Sequence, residues 1–334
     1  MKSAVNNHSP PASDCGAGCA PTAKADRRPP LLILGNGPLS RRWHDRLKIE
    51  DWPVLVYPGP QTWAEETRDH PPIYRAGLWE NSLAPKPLHE QLALLPSGLP
   101  LLLRYCRPLT RPQRQRLLQT LRQRRTTILF SRPWRWRPPL CRAWEIIATG
   151  VLGDLRRIEI EIGLAEFSAS HRQTACFDAL DLATAIFGAL PQTAGRRRFN
   201  HGEEFSLEFD SGRETTIRIF DREHPTAAAG AAASLLGLTA CGDRGEIALR
   251  PRPEEMADRP ALASPGRVWR LTRRFPDTTT SRPPQDLLIS DADPTTLELH
   301  EYLPRLLPLD RPRTPDNKSG LLINQALSEL GLAT

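Results

Sequence analysis

Residues 97–110, SGLPLLLRYCRPLT, set a turn glycine, a short apolar run and a polar cluster in direct succession. An Arg-rich helical pattern follows, opened by Pro108 and Thr110. The run from 99 to 103 has the length of a strand, and it ends on Arg104, Tyr105 and Cys106. A strand that ends in a polar turn and feeds a helix is the crevice end of an open α/β sheet, where ligands bind. The stretch therefore points to a chain whose first half alternates strands and helices.

The segments before it have the same form. Residues 31–34 are apolar, and Gly35, Asn36, Gly37, Pro38 and Leu39 follow, with Ser40 where a third glycine of a GxGxxG turn would stand. Such a turn brings bare backbone close to a pyrophosphate, whose charge is favoured at the N-terminus of the next helix. These five residues are the candidate cofactor-binding turn. A second strand spans 54–57. The acidic residue that usually ends it and holds ribose hydroxyls is replaced by Tyr57, Pro58 and Gly59. This argues against ordinary NAD recognition and leaves NADP, slightly preferred, or no dinucleotide; Arg41 or Arg42 is near enough in sequence to meet a 2′-phosphate, though an exposed helix position is the simpler reading of either. A third strand is expected over 73–78. Leu88, Leu92 and Leu95 mark a helix, and His89 reads as a residue of its outer surface. Residues 111–125 form an amphipathic helix with a basic outer side, and 126–130 a strand. In residues 131–137, SRPWRWR, Trp134 and its neighbours could stack on a planar substrate or fill a packed junction.

The second half changes character. Ile158, Ile160 and Ile162 alternate with Glu159 and Glu161, as in an antiparallel sheet covered on one side. Residues 205–209 and 216–220 read as one hairpin, and 236–249 as another. Residues 250–286, rich in Pro and Arg, are expected to be a surface excursion. Two helices are expected over 297–307 and 320–330.

At 334 residues two domains are expected. We assign 1–29 to a disordered leader, 30–148 to a Rossmann-like dinucleotide-binding domain and 149–334 to an α+β domain with an open, mostly antiparallel sheet. The last helix of the second domain is expected to pack back on the first. No apolar run reaches the roughly 20 residues that span a bilayer. No signal peptide is recognised, and the setting expected is cytoplasmic and reducing. Cys15 and Cys19 lie in the leader, where free thiols are expected, and no metal site is expected. The net charge is +7, with twelve Arg and no acidic residue from 104 to 142. A helix surface decorated with Arg is favoured over a polyanion site, so no nucleic-acid partner is expected.

Residues 98–110 resemble, without a gap, the AGKHVLxEKPLALT segment of the glucose-fructose oxidoreductase/inositol dehydrogenase (Gfo/Idh/MocA) family. Residues 144–162, WEIIATGVLGDLRRIEIEI, resemble the passage into that family's C-terminal sheet. Residues 176–191, CFDALDLATAIFGALP, resemble its HxxDxxxxxxGxP helix, with Asp181 and Gly188 at the family spacing. The resemblance implies both domains, a nicotinamide cofactor and a homo-oligomer. It places Arg104, Tyr105 and Cys106 at the Glu-Lys-Pro turn and Asp178 at the catalytic His. Relatives of biliverdin reductase also carry Tyr in this turn. The implied function is an NAD(P)-dependent reductase of a small molecule. Tyr105 would be the proton donor, oriented by Asp181 or Asp178, with Arg104, Arg107 and Trp134 toward a substrate that is anionic if the Arg residues bind it. The alternative is a catalytically degenerate relative serving as ligand sensor or partner protein, because several positions of the family's pocket are replaced together.

Overall fold

Strand β1 (Leu31–Leu34) has no exposed surface at any of its residues. A strand buried on both faces needs an apolar residue at every position rather than at alternate ones. In this computed structural model the described residues are 29–69, 72–81, 86–164, 167–221, 233–251, 268–274, 285–290, 294–306 and 317–332. Nearly all of the expected leader, with Cys15 and Cys19, lies outside them.

Around β1 stand β2 (Val54–Tyr57), β3 (Gly77–Glu80), β4 (Leu101–Arg104) and β5 (Ile128–Phe130), in the order β2-β1-β3-β4-β5. All four pairings are parallel. Parallel neighbours need crossovers, supplied by α1 (Pro38–Ile49), α2 (Pro60–Glu66), α3 (Leu88–Leu94) and α4 (Arg111–Gln123). Thr110 caps α4 through a reciprocal pair with Gln113, which explains why the helix starts where the polar turn ends. The strand expected over 73–78 is displaced to β3, and Ile73 is 82% exposed. The ladder begins with Leu32 opposite Gly77; the Arg75 N–H still donates to the Pro30 carbonyl, but Pro30 has no N–H to add the next bond.

The second sheet contains β6 (Leu155–Leu164), β7 (Thr193–Phe199), β8 (Gly202–Phe209), β9 (Arg213–Phe220), β10 (Ala233–Gly242), β11 (Gly245–Pro251), β12 (Val268–Arg274) and β13 (Gln285–Ser290). Its order is β13-β12-β11-β10-β6-β9-β8-β7, antiparallel except where β6 meets β9. The expected open, mostly antiparallel sheet is thus observed. Residues 268–274 and 285–290 correct the surface excursion expected over 250–286. Trp269 and Leu271 are buried and alternate with Arg270 and Thr272, a period of two hidden among Arg and Pro.

Helix α5 (Pro138–Ala148) leads into β6, and α6 (Ala169–Phe187) covers the inner face of the sheet. Gly188 ends α6 at φ 71°, in the left-handed region that glycine adopts without strain. Ile158, Ile160 and Ile162 point to this core, each with no exposed surface. Full burial of such a side chain contributes about 1.5–3 kcal/mol. Helix α7 (Pro294–Leu306) returns to the first sheet, where Leu299, Tyr302 and Leu303 join Leu31, Ile33 and Trp43. Helix α8 (Asn317–Glu329) lies between the two sheets: Leu321 joins the cluster of Leu101 and Leu103, whereas Ile323 and Leu327 join the core of α6. Among the described residues no helix is long and apolar enough to cross a membrane.

Candidate active site

The chain leaves β1, crosses through α1 to β2 on one side, then passes to β3 on the other side of β1. The C-terminal ends of β1 and β3 therefore frame the switch-point crevice, where open α/β sheets bind ligands. Gly35 turns the chain at φ +126°, and a Cβ there would lie 2.6 Å from the Ser40 Oγ. Pro38 opens α1 at a position where its missing N–H costs nothing. The side chain of Glu80, the last residue of β3, reaches onto the first turn of α1. It accepts from the Ser40 N–H at 2.8 Å, the Ser40 hydroxyl at 2.8 Å and the Leu39 N–H at 3.4 Å. A helix N-terminus carries unsatisfied N–H groups and partial positive charge, so a carboxylate is stabilised there. Next to Glu80, Asn81 is 2% exposed, and among the described residues neither polar atom of its side chain has a hydrogen-bond partner. Such an orphaned buried amide costs about 1–3 kcal/mol.

A second cluster lies at the ends of β4 and β5, facing α6. Arg104 Nη2 donates to Asp178 Oδ2 at 2.7 Å, and Nη1 donates to the Ser131 carbonyl at 3.1 Å. The guanidinium also lies 5.6 Å from the centre of the Phe177 ring. Burial lifts the Asp178 carboxyl above its ordinary range, while the Arg104 charge and hydrogen bond pull it down. Arg135 grips Asp181 with Nε at 2.6 Å and Nη2 at 2.7 Å, and Arg132 Nη1 stands 3.4 Å from the same carboxylate. From α7, Glu298 accepts from the Ser131 hydroxyl at 2.9 Å and the Arg132 N–H at 2.5 Å. Burial pushes Glu298 up to about 7, opposed by the Ser131 hydrogen bond and the Arg104 charge. Burial likewise pushes the Cys106 thiol up to about 12, so it is no thiolate near neutrality.

The Tyr105 ring packs in the cluster of Leu103, Leu109 and Leu321. Burial pushes its hydroxyl up to about 12, against the nearby Arg107 charge, and keeps it protonated. Asn324 of α8 pins the turn: its Nδ2 donates to the carbonyls of Tyr105 at 3.0 Å and Arg107 at 2.8 Å, and its own carbonyl accepts from the Leu109 N–H at 2.9 Å.

Residues 35–39 thus come together at one helix end, and Arg104 meets Asp178. Asp181 is held by Arg132 and Arg135, and no hydrogen bond joins Tyr105 to either Asp. Trp134 is 7% exposed in the core beneath the second sheet, a packed position. Arg107 is half-buried beside the Asn324 staple. Glu80, Asn324 and Glu298 were not singled out from the sequence, whereas Arg132 and Arg135 lie in the SRPWRWR segment, read there for stacking rather than for ion pairing. Of the three, only Glu80 had a local signal, as a carboxylate directly after the apolar end of β3. Asn324 and Glu298 act from distant elements.

No family model matches the chain, and no curated protein matches it. Solved structures do. KijD10, a 3-ketoreductase from Actinomadura kijaniata solved with TDP-benzene and NADP, matches with TM-score 0.63 and 14% identity, over 91% of this chain and 96% of that one. An oxidoreductase from Pseudomonas syringae matches with TM-score 0.59 and 14% identity, over 91% and 97% of the two chains. A protein from Desulfitobacterium hafniense, proposed to be an NADPH-dependent oxidoreductase, matches with TM-score 0.61 and 9% identity, over 89% and 93%. The chain has the fold of these oxidoreductases, a parallel five-stranded sheet followed by a mostly antiparallel one. At Gly37 the Glu80 carboxylate fills the space a side chain would take, and the Leu39 and Ser40 N–H groups at the start of α1 hold that anion.

Proposed function

We propose that the chain is an NADP-dependent oxidoreductase of the Gfo/Idh/MocA type that reduces a small molecule between its two domains. The observation that carries this reading is the 35–40 turn, which opens α1 at the switch point of a fold shared with NADP-bound KijD10. Gly35, Asn36, Gly37, Pro38 and Leu39 would hold the pyrophosphate on backbone groups. Arg41, whose Nε donates to the Asn36 carbonyl at 3.3 Å, would stand beside the bound nucleotide. The cofactor, once bound, supplies the hydride, and the protein orients the partners and manages the proton. In this reading Tyr105, at the position of the family's Lys, donates that proton; burial keeps its hydroxyl protonated near neutrality and also makes it a weaker acid than a free Tyr. Arg104 contributes fixed positive charge beside the turn, and Asp178 holds it in place. A second copy of the chain is the expected partner, and the cytoplasm the expected setting.

NADPH consumption followed by absorbance during a screen of small carbonyl and imine compounds tests the reading. Turnover is expected in the wild type, with a loss of about 100-fold or more in Tyr105→Phe at unchanged NADPH affinity. Equal turnover in the two proteins removes Tyr105 from the chemistry. A second reading, a catalytically degenerate ligand sensor, is favoured by the Arg104–Asp178 pair, whose members neutralise each other. It predicts NADPH binding with no turnover of any compound.

A further inference from the structure

The N–H groups that a dinucleotide would use already have an occupant. Glu80 holds Leu39 and Ser40 through backbone and hydroxyl contacts, and among the described residues no Lys or Arg pairs with it. Its place is defined by Gly37. A Cβ at that residue would lie 2.5 Å from the Glu80 carboxylate atoms, so the carboxylate fills the space left by the missing side chain. That space is the one through which a pyrophosphate approaches the backbone at a glycine turn. Two anions cannot share one set of donors at such distances. The neighbouring Asn81 amide, buried and unpartnered, offers further polar capacity at the same strand end.

We propose that Glu80 is an internal competitor for the cofactor: its carboxylate occupies the first turn of α1 in the free protein and leaves it when the dinucleotide pyrophosphate binds. The proposal rests on the oxidoreductase reading and deepens it. Glu80 then sets the threshold of cofactor affinity. Part of the binding energy is spent on releasing a carboxylate with charge-assisted hydrogen bonds, which are about twice as strong as neutral ones. The exchange of one anion for another also keeps α1 capped in both states.

Fluorescence titration of the full chain with NADPH tests this, using wild type, Glu80→Ala, Glu80→Gln and Ser40→Ala. The first two variants are expected to bind roughly tenfold more tightly or better. Ser40→Ala removes only the hydroxyl contact and is expected to gain about threefold. It keeps the test alive if Glu80→Ala fails to fold. Binding by the variants but not by wild type supports both the proposal and the reading. Binding by wild type with no gain in any variant overturns the proposal and leaves the reading intact. No binding by any of the four proteins at millimolar NADPH overturns both.

Discussion

Two groups of charge stand at the strand ends of the first sheet, and they are balanced in different ways. At α1 a single carboxylate, Glu80, is held by two backbone N–H groups and one hydroxyl, all donated by neighbouring residues of one helix turn. At the domain junction three guanidinium groups, Arg104, Arg132 and Arg135, face three carboxylates, Asp178, Asp181 and Glu298, supplied by four separate elements. The first arrangement can exchange its anion for another without leaving a charge exposed to low dielectric. The second cannot release one member without stranding its partner. If Glu80 gives way to the cofactor as proposed, the crevice has one replaceable charged wall at α1 and one fixed wall where α6 meets β4.

The fixed wall breaks most severely at its deepest pair. Asp178→Ala leaves the Arg104 guanidinium buried without its carboxylate and is expected to cost about 3–5 kcal/mol in urea denaturation. The joint replacement Arg104→Met with Asp178→Leu, which removes both charges, should recover most of that loss. A double variant as unstable as the single one would show that the pair orders the junction beyond its charge.

A smaller effect is expected from Glu298, read through pH. Its folded pKa, about 7, is raised above the ordinary 4.5. Between those values the folded protein binds more protons than the unfolded chain, so stability is highest below the lower value and falls as pH rises to the upper one. The fall from this group is on the order of 3–4 kcal/mol. Glu298→Gln should flatten that part of the profile, and parallel profiles for variant and wild type would remove Glu298 as its source. Asn324→Ala is expected to cost least, about 1–2 kcal/mol, because two carbonyls lose one donor group. Faster hydrogen exchange at the Leu109 N–H would report the loosened turn, and unchanged exchange would show that α8 packing alone holds it.

The layered architecture was legible in the sequence wherever burial imposes a period. Leu31 to Leu34, buried on both faces, read as a parallel strand, and Ile158, Ile160 and Ile162 read as a sheet wet on one side. The strand at β3 was placed too early, because its limit is set by Pro30 across the sheet rather than by its own residues. The pattern of β12 was obscured by the Pro and Arg residues around it. Of the candidate site, the strand–turn–helix at 35–39 was legible from its local glycine motif, and the nearness of Arg104 to Asp178 only through the family resemblance. The ties made by Glu298 and Asn324 were not, since a hydrogen bond across 166 or 217 residues leaves no spacing to read.

Those long ties also order events in time. The carbonyl of Arg107 receives its donor from a residue 217 positions later. At ribosomal rates of roughly 5–20 residues per second, about 10–40 s separate the two. Through that interval the first sheet lacks Leu303 on one face and Leu321 on the other. The nascent chain therefore emerges with an apolar surface that only its own later translation can cover, a long invitation to chaperones.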